Sequence, residues 1–128
     1  VDLDTLFSQS DFITLHAPLN AETRNMADAR RIGLMKKRAV IVNTARGGLI
    51  DEEALYAALK EGTIGAAALD ACQEEPACAG RLAELDNCVL TPHAGAATLE
   101  AGFNMGMMAA RNLLDILENG SCPYSVCP

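Results

Sequence analysis

Four short apolar runs constrain this chain more than any other feature: Phe12 to Leu15, Ala39 to Val42, Ile64 to Leu69 and Cys88 to Leu90. Each has the length of a strand and lacks polar alternation, which predicts strands covered on both faces. Between the runs the spacing becomes helical. Leu3, Leu6 and Phe7 predict the end of one helix, and Ala27 to Met35 a second. Asp51 is suited to cap a third, with Ala54, Leu55, Ala58 and Leu59 on one face and Gly62 as its stop. The longest runs from about Thr98 to Glu118 and ends at Asn119-Gly120. Leu99, Phe103, Met107, Ala110, Leu114 and Leu117 form its apolar stripe. Helices alternating with strands predict the α/β class, an open parallel sheet with right-handed crossovers.

Composition narrows the function. The 128 residues carry 10 Lys and Arg against 17 Asp and Glu, a net charge of -7. That balance argues against nucleic acid or an anionic membrane surface as the partner, since both need a basic footprint. No apolar run approaches the ~20 residues of a membrane span, and no basic-then-apolar leader opens the chain. The expectation is a soluble, cytoplasmic protein. Five cysteines without a C-x-x-C pair predict neither a disulfide framework nor a thiolate metal site, so no metal is expected.

A parallel sheet places its binding crevice at the carboxyl ends of its strands. Following the four runs there are His16, Ala17 and Pro18; Asn43 to Gly48; Asp70 and then Gln73 to Pro76; and Thr91 to Gly95. Both histidines, an arginine beside a Gly-Gly turn and a group of carboxylates are thereby gathered at one edge. An arginine fork matches a carboxylate oxygen for oxygen. A histidine exchanges protons near neutrality, and a neighbouring carboxylate keeps its ring charged and oriented. Arg46 as anchor, His93 as acid/base and Glu75 as tuner suit the reduction of a 2-oxo acid. By spacing alone Glu74 serves as well as Glu75. His16 reads as a structural histidine bonded to nearby backbone, and Cys72 as the filler of a small apolar gap.

Four stretches, Leu15 to Asn25, Val42 to Leu55, Ala68 to Pro76 and Thr91 to Thr98, resemble the D-isomer-specific 2-hydroxyacid dehydrogenases. The resemblance runs through essentially the whole chain, in order. It implies that Arg46 binds substrate, that Glu75 rather than Glu74 tunes the histidine, and that His93 is the acid/base. It also implies that Ala17, Thr44, Ala45, Arg46, Asp70, His93, Ala94, Gly95 and Ala96 line the nicotinamide end of the cofactor, with Asp70 near the carboxamide. Cys72 stands where relatives carry an aromatic residue and Ala94 where they carry a larger aliphatic one. The implied reaction moves a hydride between NAD, or NADP, and a small 2-hydroxy or 2-oxo acid. Within the family the resemblance leans to 3-phosphoglycerate dehydrogenase or glyoxylate/hydroxypyruvate reductase, acting in full length as a homodimer. Two alternatives share these motifs: an NADH-sensing corepressor of the same fold, and a truncated, inactive relative.

The G-x-G-x-x-G phosphate loop and the acidic residue that reads the ribose are missing from these 128 residues. The expectation is therefore an incomplete Rossmann-type sheet. Residues 1–97 would be the C-terminal half of the nucleotide-binding domain, and 98–128 a long helix and a return segment toward the substrate domain. Such a piece leaves Phe12 to Leu15 as an open strand edge, inclined to pair with another chain and poor at holding a dinucleotide alone.

Overall fold

The computed structural model describes residues 1–74 and 80–125. Its elements follow in the order α1 (Leu3–Gln9), β1 (Phe12–Leu15), α2 (Ala29–Leu34), β2 (Val40–Asn43), α3 (Glu52–Lys60), β3 (Ala66–Leu69), β4 (Cys88–Leu90) and α4 (Leu99–Asn119). Short 3₁₀ turns lie at Gly47–Leu49 and Arg81–Glu84. The chain divides into two compact units, Val1–Ala94 and Gly95–Pro128.

In the first unit the four strands form one parallel sheet in the order β1-β2-β3-β4. Their register sets Leu15 beside Asn43, Asn43 beside Leu69, and Leu69 beside Leu90. All four strand ends thus lie at one level, which aligns the loops that follow them. Packing runs from α1 to α2, α2 to α3, and α3 to the Arg81–Glu84 turn. Phe7, Ile32, Leu55 and Leu59 from the helices meet Ile13, Ile41, Ala67 and Leu69 from the strands in one core. Each large side chain buried there contributes about 1.5–3 kcal/mol relative to exposure.

The strands alternate, contrary to the reading of continuous apolar runs as doubly covered. Ile13 and Leu15 are buried while Phe12, between solvent and the edge of the sheet, is 78% exposed. The β2 and β3 strands show the same alternation. The cause is topological: strands that follow one another in sheet order, with α1, α2 and α3 packed as neighbours, cover one face.

Helix starts obey their caps. Asp2, Asp28, Asp51 and Thr98 accept hydrogen bonds from Thr5, Arg31, Ala54 and Ala101 backbone N–H groups respectively, each satisfying a donor that the first turn leaves orphaned. Gly62 and Gly120 end α3 and α4 at φ +67° and +69°, a left-handed conformation that suits glycine. The second helix is shorter than its expected span, Ala27 to Met35. Ala27 is drawn instead into backbone pairing with the loop after β2: its N–H donates to Leu49, and its carbonyl accepts from Asp51. Strand β2 begins one residue later than its apolar run and ends on Asn43. No residue of α4 is buried, so its predicted stripe of Leu99, Phe103 and Leu117 is exposed.

Candidate active site

Asn43 organises the site. It is the only buried polar residue among the described residues, at 1% exposure. Its Nδ2 donates to the Arg46 carbonyl oxygen at 2.8 Å, and its Oδ1 accepts from the Ala45 N–H at 3.1 Å. One side chain therefore closes the turn that carries Arg46 out of β2. The Asp70 N–H, at the end of β3, donates to the Asn43 carbonyl at 2.9 Å and ties the next loop to this turn. Sequence reasoning placed Asn43 at the strand end without a role. The signal was present: an asparagine closing an apolar run must find partners if it is buried.

The turn continues through Gly47 and Gly48, both buried. A Cβ on Gly47 would stand 2.0 Å from the Cys72 carbonyl carbon, so only glycine lets the two loops approach. Asn25, at φ +52°, donates its N–H to the Gly48 carbonyl at 2.8 Å. An asparagine tolerates that left-handed conformation. The loop after β1 is thereby fastened to the loop after β2.

Asp70 holds the loop after β4. Its Oδ1 accepts from the Thr91 hydroxyl and from the Ala94 N–H, the latter at 2.8 Å. Between those two anchors His93 sits at φ +52°, and its N–H donates to the Thr91 carbonyl at 3.0 Å. A non-glycine residue in the left-handed region costs about 1–3 kcal/mol, strain that persists where the surroundings impose it and gathers at functional sites.

Arg46 and His93 line one open cavity of about 700 Å³, together with Gly47, Gly48, Cys72 and Gln73. Leu19 and Arg24, from the loop after β1, complete it. The Arg46 guanidinium is exposed and donates to the Ala45 carbonyl at 2.7 Å, so no carboxylate of the described residues neutralises it. Ala17, Thr44, Ala45 and Asp70 follow their strand ends at the same sheet edge without lining the cavity. Ala94 closes the first unit, and Gly95 and Ala96 belong to the second. Glu75 lies outside the described residues. Arg24 is the residue that the sequence reading missed. Its signal was a cation directly after an Asn20–Thr23 turn, itself within a stretch that was recognised.

His16 is exposed, and its Nε2 shares a 2.8 Å hydrogen bond with the Thr14 hydroxyl. The expected backbone partner is replaced by a side chain two residues away on the same face of the strand. Cys72 is buried at 7% exposure, as a gap filler should be, yet it is disulfide-bonded rather than a free thiol. An odd cysteine count excludes complete pairing, not a single pair. A smaller cavity of about 280 Å³ lies beside Asp51, Glu52, Glu53, Tyr56 and Arg81. Its cation is already committed, since Arg81 bonds Glu53 at 3.0 Å and lies 4.1 Å over the Tyr56 ring. Burial pushes the Glu52 carboxyl up, opposed by the hydrogen bond it accepts from the Gln73 N–H.

A family profile described as D-isomer specific 2-hydroxyacid dehydrogenase, NAD binding domain, matches residues 1–95. The chain belongs to this family. Among its 2-hydroxyacid dehydrogenase relatives, a D-3-phosphoglycerate dehydrogenase of Methanocaldococcus jannaschii is 53% identical over 91% of this chain and 22% of its own length. A glyoxylate reductase of Thermofilum pendens is 46% identical over 98% of this chain and 37% of its own. In three dimensions the chain is similar to a D-lactate dehydrogenase of Lactobacillus jensenii solved with NAD+. The TM-score is 0.86 at 33% identity, covering 100% of this chain and 42% of that one. The chain spans less than half the length of these 2-hydroxyacid dehydrogenases. Among the described residues no helix is long and apolar enough to cross a membrane.

Proposed function

We propose that the protein carrying this chain is an NAD(P)-dependent oxidoreductase that interconverts D-2-hydroxy acids and 2-oxo acids. The observation that carries the proposal is the meeting of Arg46 and His93 on one cavity. Arg46 offers two parallel N–H donors to the substrate carboxylate and so fixes which face of the adjacent carbonyl is presented. His93, held between the two anchors of its loop, gives a proton to the carbonyl oxygen as that oxygen becomes a hydroxyl, and takes it back in the oxidative direction. Glu75 is assigned to keep the His93 ring charged and oriented.

The residues present fit the reactive end of a dinucleotide. Ala17, Thr44 and Ala45 are small and follow aligned strand ends, and Asp70 offers a carboxylate acceptor suited to an amide N–H. A nicotinamide bound there supplies or accepts the hydride at the substrate's C2. Residues 1–97 then serve as the C-terminal half of the nucleotide-binding domain, and 98–128 lead toward a substrate domain. We place the protein in the cytoplasm and, at full length, as a homodimer, on the support of its acidic charge and its family. The exposed β1 edge favours self-pairing of the isolated chain.

The test is reduction of glyoxylate, hydroxypyruvate and pyruvate by the native protein, followed as NADH absorbance at 340 nm. Arg46→Gln should raise KM at least about a hundredfold by removing a charge-assisted pair. His93→Gln should lower kcat by about 10²–10⁴. Turnover unaffected by both substitutions rejects the assignment.

A further inference from the structure

Arg24 has no role in the reading above, although its guanidinium lies beside Gly48 in the turn that follows Arg46. The loop that carries it is built to stay in place. Asn20 Oδ1 accepts from the Glu22 and Thr23 N–H groups at 2.9 Å each, the Thr23 hydroxyl donates to the Pro18 carbonyl at 2.6 Å, and the Arg24 N–H donates to the Asn20 carbonyl at 3.0 Å. The next residue, Asn25, is bonded to Gly48. Arg24 Nη1 consequently lies 3.5 Å from where a Cβ of Gly48 would stand, two residues beyond Arg46. Leu19 Cδ2 is 3.0 Å from the same point, so the absence of a side chain at Gly48 makes room for both.

Most other arginines of the first unit are neutralised: Arg30 and Arg31 by Asp4, and Arg81 by Glu53. Arg24 forms no side-chain hydrogen bond or ion pair with any described residue. In a chain of net charge -7, two arginines without carboxylate partners converge on one cavity. One of them suffices for the carboxylate next to the reacting carbonyl. Of the residues assigned to the nicotinamide end, only Arg46 and His93 line the cavity, and these are the two that also act on the substrate. Ala17, Thr44 and Asp70 do not line it, so Arg24 is placed on the substrate side.

We propose that Arg24 binds a second anionic group of the substrate, which makes the preferred substrates 2-oxo acids that carry a distal carboxylate or phosphate ester. This rests on the proposed dehydrogenase reading, with Arg46 as the first anchor. The guanidinium fork would accept two oxygens of the distal group while Arg46 holds the near carboxylate, so the substrate is fixed at both ends.

Matched substrate pairs test this in the native protein: hydroxypyruvate against its 3-phosphate ester, and pyruvate against oxaloacetate. Arg24→Gln should lower the kcat/KM ratio of doubly to singly anionic substrate by about tenfold to a hundredfold in at least one pair, the size of a lost charge-assisted hydrogen bond. Arg24→Lys should restore part of the ratio, and Arg38→Gln, a substitution away from the cavity, should leave it unchanged. Arg46→Gln should depress both members of each pair. An Arg24→Gln ratio equal to wild type in both pairs overturns the proposal, as does an effect confined to the KM for NADH, which would assign Arg24 to the cofactor's phosphates. Failure of the wild type to reduce any 2-oxo acid overturns the dehydrogenase reading and this inference with it, whereas turnover with an unshifted ratio overturns this inference alone.

Discussion

Replacing Asn43 by alanine tests whether one buried amide holds the turn that carries Arg46. The substitution removes two hydrogen bonds, from Nδ2 to the Arg46 carbonyl at 2.8 Å and from the Ala45 N–H to Oδ1 at 3.1 Å. Arg46 is exposed, so water can replace its lost donor. Ala45 is half-buried and Asn43 is 1% exposed, so the Ala45 N–H is left poorly solvated. Such an orphaned group costs about 1–3 kcal/mol, and the vacated volume adds about 1 kcal/mol, for a total near 2–4 kcal/mol. With a urea slope of about 1–3 kcal/mol per molar for a protein this small, the unfolding midpoint should fall by roughly 1–2 M. Asn43→Asp separates donor from acceptor. It keeps a partner for the Ala45 N–H but turns a carboxylate toward the Arg46 carbonyl. Burial and that carbonyl both disfavour the charged form, so the folded state binds the proton more tightly than the unfolded one. The stability of this variant should therefore be highest at low pH and fall as pH rises through its folded-state value. A midpoint for Asn43→Ala within about 0.3 M of wild type would refute the reasoning, because even the smallest orphaned-donor cost divided by that slope exceeds it.

Two further substitutions probe the same loops and the outer surface. Gly47→Ala should displace either the Arg46 turn or the Cys72 loop, since its Cβ meets backbone atoms of Cys72 and Gln73 at 2.0–2.4 Å. The expected result is loss of cooperative unfolding or a fall in melting temperature of at least several degrees, measured by circular dichroism. Hydrogen bonds and charge from Arg30, with help from Arg31, hold the Asp4 carboxyl at about 2, below its ordinary 3.8. A lowered acid stabilises the fold above its ordinary value and loses that contribution as pH falls toward about 2. Acid titration of Asp4→Asn should show a shallower loss of stability across that window than wild type, and equal slopes would show that the pair contributes nothing.

Particular residues show what could be seen in the sequence. Phe12 to Leu15 and Cys88 to Leu90 became strands at those limits because short apolar runs between helical segments leave few other options. The cap at Asp51 and the stops at Gly62 and Gly120 were equally legible, since capping is local chemistry of a residue with its own neighbouring backbone. The strand ends pointed to Arg46 and His93, which line one cavity, because any parallel sheet collects its loops on one side. Ala27 was misread for the opposite reason. Its backbone partners, Leu49 and Asp51, lie more than 20 positions away, and no periodicity reports them.

The sequence by itself determined the α/β class, the strand and helix sites, the family and the two residues assigned to anchor and acid/base. Each rests on local pattern or on motifs read within a few residues. Tertiary structure alone decided that Asn43 closes the Arg46 turn and that Gly47 exists to let Cys72 pass. It also decided that His93 is held in a left-handed conformation between two Asp70 contacts. Most of all, it brought Arg24 to the same cavity as Arg46, 22 positions along the chain. Those facts depend on which loops meet, and loops meet where the register of the sheet and the packing beneath it bring them.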